Sequence, residues 1–278
     1  MAISSCRRGD IFYKALICSA ITVTGYAILS VLYRNDPEIR IELSDLLFPI
    51  FCGLATIGLF CAAHSLRAHG DKGAVAWGFL SAGMLFFTLG DISWAILELI
   101  LHQEPEASMA DVFYLMYYPV FAAGILLLRE MPQSRGERIK LLLDTGIIMI
   151  SAALAFWAFL IEPTIMAGSE NAILLAISLA YPVMDLVLFF ALLLLLFRGL
   201  NSGEDERVPR QGPLLLLSFG ISAGIIADII YLQQTLNGTY SAGNLLDMGW
   251  LISYVFIGLS GALQTDIVNR SSFVCQPP

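Results

Sequence analysis

Three short runs in this chain join a carboxylate to aromatic side chains: Asp111, Tyr114 and Tyr118; Asp247, Trp250 and Tyr254; and Asp91, Trp94 and Glu98. Each stands at i, i+3 and i+7, which puts all three side chains on one face of an α-helix. A face of acids, phenols and indoles can accept a cation, relay a proton or hydrogen-bond a small polar ligand. Asp228 with Tyr231 repeats the start of the pattern, and Asp45, Asp144 and Asp185 are further acids within apolar stretches.

The elements that carry these faces are set by hydropathy. Of 278 residues, 58% are apolar and 14% charged, against about 25% charged in soluble domains. The mean hydropathy is +0.77. Such a chain excludes a soluble globule and reads as all-α, a polytopic bundle of membrane helices. Apolar stretches of about 20 residues predict helices over 12–33, 44–66, 74–100, 108–128, 139–162, 172–197, 212–235 and 244–264. No stretch between them is long enough for a soluble domain, so 1–278 is expected to form one integral membrane domain. Arg7 and Arg8 precede an apolar run without a cleavage signature, which favours a retained first helix.

Lys and Arg alternate in density between the connections. Counted alternately, thirteen fall on one side, including both tails, and two on the other. The positive-inside rule then puts both termini in the cytoplasm of a plasma-membrane protein. The outer connections, near 101–110, 163–171 and 236–243, carry Glu104, Glu106, Glu162, Glu170 and the turn Asn237-Gly238-Thr239. The net charge of −8 argues against a nucleic-acid partner, which requires clustered cations. The five cysteines include no C-x-x-C pair, so neither a disulfide framework nor a zinc site is expected.

The chain also repeats itself. Ser81, Gly83, Asp91, Ile92 and Trp94 match Ser218, Gly220, Asp228, Ile229 and Tyr231 at an offset of 137. After a one-residue gap, Asp111, Tyr114, Leu115 and Tyr118 match Asp247, Trp250, Leu251 and Tyr254. Spans 3–4 thus resemble spans 7–8, and Phe48-Pro49, Tyr118-Pro119 and Tyr181-Pro182 suggest a shorter helix-hairpin unit beneath them. Copies of equal orientation form a parallel repeat about an axis along the membrane normal.

Asp111 and Asp247 sit four residues into Ser108-Met109-Ala110-Asp111 and Asn244-Leu245-Leu246-Asp247, close to a capping box. Capping, with Tyr and Trp in an interfacial belt, is an alternative account of those two faces. Asp91 and Asp228 lie deeper, where a carboxylate costs about 2.5–3.5 kcal/mol on insertion scales. They demand a partner or a wet cavity, and in this reading no Lys or Arg lies within a span to supply one. The expectation is an outward-opening acidic and aromatic pocket formed by Asp91, Trp94, Asp111, Tyr114, Tyr118, Asp228, Tyr231, Asp247, Trp250 and Tyr254.

Two motifs mimic catalysis. Gly220-Ile221-Ser222-Ala223-Gly224 fits G-x-S-x-G, but a nucleophile elbow needs a strand-to-helix turn, and this one falls within a predicted helix. Small residues at that spacing suit helix packing. Leu89-Gly90-Asp91 resembles the Gly-x-Gly-Asp of intramembrane aspartyl proteases without the first glycine or the Tyr-Asp partner. No enzymatic activity and no metal site are expected.

Taken in order, Gly90-Asp91-Ile92-Ser93-Trp94, Ala110-Asp111-Val112-Phe113-Tyr114-Leu115, Tyr117-Tyr118-Pro119, Leu143-Asp144, Ala180-Tyr181-Pro182-Val183-Met184-Asp185 and Ala227-Asp228-Ile229-Ile230-Tyr231 form an ordered set. With it, roughly residues 40–265 resemble the multi-pass membrane modules found ahead of GGDEF/EAL or histidine-kinase domains in bacterial and archaeal signalling proteins. The resemblance implies a sensory input role in signal transduction and no catalytic residue. About 14 residues follow the eighth predicted span, which leaves a stand-alone relative or a chain cut before its output domain. The partners expected are the lipid bilayer, an unknown small ligand or cation and a cytoplasmic signalling protein, with homodimer formation open and the cofactor unknown. A small-solute or proton-coupled transporter is the alternative.

Overall fold

The computed structural model describes residues 10–103, 107–128, 135–168, 171–201, 208–244 and 246–274. The outer-connection acids Glu104, Glu106 and Glu170 lie outside the described residues. Every regular element described is a helix: α1 (Asp10–Leu32), α2 (Pro37–Ala68), α3 (Gly73–Ala95), α4 (Met109–Leu127), α5 (Arg135–Phe156), α6 (Glu162–Ala167), α7 (Ala172–Asn201), α8 (Val208–Leu236) and α9 (Asp247–Val274). Single π turns, Ile96–Ile100 and Trp157–Ile161, extend α3 and join α5 to α6. Eight helices are long and apolar enough to cross a membrane, and helices are what a lipid environment permits, because every backbone group must be paired within its own segment.

Six helices form a closed ring in which α2 packs on α3, α3 on α4, α4 on α7, α7 on α8, α8 on α9, and α9 again on α2. Outside it, α1 lies against α9 and α5 against α7. The apolar stretches of those two are only 6% and 17% buried, against 33–56% for the others, so their surfaces are left for lipid. Small residues set the spacing of the ring, as expected where apolar surface gives helices no reason to prefer one another over lipid. A Cβ added at Gly83 would stand 3.0 Å from the Phe121 backbone nitrogen, and one at Gly220 3.0 Å from that of Ile257. A Cβ at Gly58 would meet the Gly258 carbonyl oxygen at 2.7 Å, which brings α2 and α9 into backbone contact.

Two bounds depart from the sequence reading. α2 starts at Pro37 rather than near 44, because proline fits the first turn of a helix and Glu38, Arg40 and Glu42 continue it. Arg40 therefore lies on a helix of the bundle, and the expectation that no basic residue stands among the acids is corrected. α9 runs to Val274, ten residues past its predicted end, and its Asp266 carboxylate accepts the Phe12 N–H of α1 at 3.0 Å. Pro49, Pro119 and Pro182 each lie inside a continuous helix.

Candidate functional site

The ring gathers its acids at the end bearing the α3–α4 and α8–α9 connections. Asp91, on α3, accepts the Tyr114 hydroxyl of α4 at 2.9 Å. Asp228, on α8, accepts the Trp250 indole N–H of α9 at 2.8 Å. These are matched positions of the two hairpins, holding the same kind of bond between the same pair of faces.

The match extends to what surrounds each acid. Asp91 also faces Tyr254 from the other hairpin and Cys52 from α2, whereas Asp228 faces Tyr118 from the other hairpin and Asp185 from α7. Tyr254 and Tyr118 are matched residues. Cys52 and Asp185 each stand four places after the aromatic residue of Phe48-Pro49 and Tyr181-Pro182. Each acid is thus clamped by its own hairpin, the opposite hairpin and a flanking helix. Cys52 and Asp185 are not among the ten sequence-predicted residues; the Tyr-Pro and Phe-Pro echoes were the signal that marks them.

Where the hairpins meet, the ring encloses a cavity of about 20 Å³, room for about one water molecule. Met84, Phe87 and Tyr117 of one half and Ile221, Gly224 and Ser253 at the matched positions of the other line it, with Leu188 of α7. Asp228, Trp250 and Tyr254 are the members of the predicted pocket that reach its wall. Phe87 packs its ring on Tyr114, Tyr117 and Tyr254, with centroids 4.8, 4.9 and 5.7 Å away.

Asp111 takes the expected capping geometry, whereas the carboxylate of Asp247, the first residue of α9, bonds the turn before it rather than Asn244. Asp111 Oδ2 accepts the Ser108 N–H at 2.8 Å and closes a capping box, while Oδ1 accepts the Tyr181 hydroxyl of α7 at 2.6 Å. Asp247 Oδ2 accepts the Gly243 N–H at 2.6 Å, and its Oδ1 is buried without a partner. One oxygen each of Asp45, Asp91 and Asp185 is likewise buried and unpartnered. Trp94 donates its indole N–H to Glu98 at 2.7 Å on its own helix, and Tyr231 packs on Trp250 and Tyr240, centroids 5.6 and 4.7 Å away. Burial, and then the Asp247 carboxylate, hold the Tyr240 hydroxyl above its ordinary range, so it stays protonated as a donor.

Ser222, the serine of the G-x-S-x-G match, donates to the Ser218 carbonyl one turn back on α8 at 2.9 Å. Its flanking Gly220 and Gly224 lie against Ile257 and Ser253 of α9. That motif is a packing seam within a helix. Comparison with protein-family models, with curated proteins and with solved structures finds no match.

Proposed function

We propose that this multi-pass membrane protein is a sensory module whose acidic and aromatic end binds a small ligand from outside the cell and passes the event along α9 toward the cytoplasm. The observation that carries the reading is the pair of matched clamps, Tyr114 on Asp91 and Trp250 on Asp228. Carboxylates held at defined positions, each beside groups from three helices, respond together to whatever ligand or proton alters one of them. α9 supplies Asp247, Trp250 and Tyr254 to that end and continues unbroken to Asp266 and beyond. A ligand biases such an element only through contacts that differ between two arrangements, and a rigid helix can carry the displacement across about 30 Å of hydrocarbon.

The proposed orientation has both termini in the cytoplasm. A cysteine introduced at Gly238 should be modified by an impermeant thiol reagent added outside intact cells, and one at Gly70 should be spared. For coupling, a cyclase or kinase reporter fused after Arg270 should change its output when Trp250→Ala or Asp228→Asn is introduced at equal expression. Output unmoved by both substitutions rejects the sensory reading. The transporter reading draws on the enclosed cavity between matched halves, a plan that suits alternating access, but Pro49, Pro119 and Pro182 interrupt no helix. Solute flux into proteoliposomes, with the reporter silent, would establish the transporter instead.

A further inference from the structure

Beside the clamps lies a second polar cluster, built around one residue, Gly243. Arg40 of α2 donates through Nη1 to the Gly243 carbonyl oxygen at 3.3 Å, and the N–H of that same Gly243 binds Asp247 Oδ2 at 2.6 Å. Gly243 has φ +74°, and a Cβ there would lie 2.7 Å from the Arg40 carbonyl oxygen, so the residue must be glycine. The two peptide groups of Gly243 tie a guanidinium to its carbonyl and a carboxylate to its N–H.

Neither is satisfied by that arrangement. Arg40 Nε, Asp247 Oδ1 and Asp45 Oδ2 are all buried without a hydrogen-bond partner, in side chains of which Asp247 is 1% and Asp45 8% exposed. Asp247 faces Arg40 and Tyr240, and Asp45 faces Glu98 and Asp247. Arg40, Glu98 and Tyr240 are half-buried, so the cluster reaches the surface. An unpaired buried donor beside unpaired buried acceptors is costly on both counts, and direct contact would relieve both. Gly243 holds them apart. A molecule that carries an anionic acceptor and a cationic donor a few bonds apart would satisfy all three groups together.

We propose that this cluster binds a zwitterionic α-amino acid, with its carboxylate on Arg40 and its ammonium group among Asp45, Asp247 and Glu98. The rings of Tyr26 and Tyr240 neighbour Asp247, and aromatic rings are favourable company for a cation. The inference rests on the ligand-binding reading above and adds the chemical class of the ligand.

The test uses the full chain in nanodiscs of phosphatidylethanolamine and phosphatidylglycerol, with each of the twenty common amino acids added singly and binding read by calorimetry and thermal shift. For the amino acid bound most tightly, the amine lacking the carboxylate and the acid lacking the amino group should each bind about tenfold or more weakly, as expected when a charged hydrogen bond is lost. Arg40→Lys, which keeps the charge but not the guanidinium fork, should weaken the amino acid and leave the amine analogue unchanged. Asp247→Asn, which keeps an acceptor for the Gly243 N–H, should weaken both. Thermal unfolding without ligand serves as the control for folding of each variant. Binding of none of the twenty by the wild type, an amine that binds as tightly as its parent, or full affinity in Arg40→Lys overturns the proposal. Amino-acid binding with a silent α9 reporter would leave this site standing and remove the sensory reading instead.

Discussion

The α3–α4 hairpin and the α8–α9 hairpin hold their acids by one device and differ in what is packed around it. On the first, Phe87 fills the space beside Tyr114 and Tyr117, and Asp111 is closed by the Tyr181 hydroxyl. On the second, the position matching Phe87 is Gly224, which lines the cavity, and Asp247 keeps an unpartnered oxygen near Arg40. The flanking helices differ in the same sense: α2 brings a thiol to Asp91, and α7 brings a second carboxylate to Asp228. Both halves line the cavity and each keeps an unpartnered acid oxygen, on Asp91 and on Asp247; what sets the second apart is the missing ring at Gly224 and the second carboxylate beside Asp228. If the halves descend from one hairpin unit, the second lacks a ring at this position while the first keeps Phe87 as a support for three tyrosines.

The sharpest way to break that comparison is to remove the ring that the first half keeps. Phe87→Ala removes a ring in contact with three tyrosines and should cost about 3 kcal/mol, the lower end for a phenylalanine truncation because the site is only half-buried. Thermal or denaturant unfolding of the purified protein in detergent would read it. A loss below about 1 kcal/mol would mean that Phe87 is not the support assigned to it.

Next in size are the glycine contacts that the halves share. Gly83→Leu and Gly220→Leu each force a side chain onto the facing helix, at Phe121 and Ile257, and overpacking of this kind costs about 1–3 kcal/mol. The two losses should agree within about 0.5 kcal/mol, since distant sites with equivalent surroundings report independently. Unequal losses would show that the matched glycines do not perform the same task.

The clamps themselves come third. A double-mutant cycle on Tyr114→Phe with Asp91→Asn, and one on Trp250→Phe with Asp228→Asn, should each return a coupling of about 0.6–1.7 kcal/mol, the range for hydrogen bonds between membrane helices. The crossed pairs, Tyr114 with Asp228 and Trp250 with Asp91, should return close to zero. Coupling in the crossed pairs comparable to that in the direct pairs would contradict the bonding described.

Hydropathy alone carried most of the fold. The eight predicted spans fall on α1 to α5 and α7 to α9, because a membrane helix needs about 20 apolar residues and little else in the sequence can imitate one. The offsets between Asp91 and Asp228 and between Tyr114 and Trp250 belong to the sequence; the structure adds that Tyr114 and Trp250 each donate to the acid of their own hairpin. What the sequence could not supply was lateral order. The Phe48-Pro49 and Tyr181-Pro182 echoes mark Cys52 and Asp185, but nothing in the residues says that α2 and α7 pack at the two seams between the hairpins and bring them to Asp91 and Asp228. Arg40 falls outside the predicted spans because charge bounds them, whereas Pro37 starts the helix about two turns earlier and carries Arg40 toward Asp247. Capping accounts for one oxygen of Asp111; Asp247 instead accepts the Gly243 N–H of the preceding turn, and neither that bond nor the one from Tyr181 to Asp111 is encoded by spacing.

The smallest expected effect tests the cavity. Gly224→Ala adds one methyl group at the position matching Phe87, and its Cβ would lie 3.0 Å from Ser253 Oγ, the end of a side chain that can turn aside. Replacing glycine by alanine within a helix gains up to about 1 kcal/mol, and the crowding of Ser253 offsets part of it, so the net change in stability should stay within about 0.5 kcal/mol of zero. Its effect on the space is larger in proportion, because a cavity of about 20 Å³ has no room for both a methyl group and a water molecule. Hydration of the Asp228 carboxyl, read by the shift of its infrared band on transfer to heavy water, should therefore differ between wild type and Gly224→Ala. Ala82→Gly, outside the cavity on α3, should leave the band where it was. An infrared band insensitive to Gly224→Ala would mean that the water reaching Asp228 does not come through this cavity, and the contrast between the halves would then rest on the second carboxylate beside Asp228 alone.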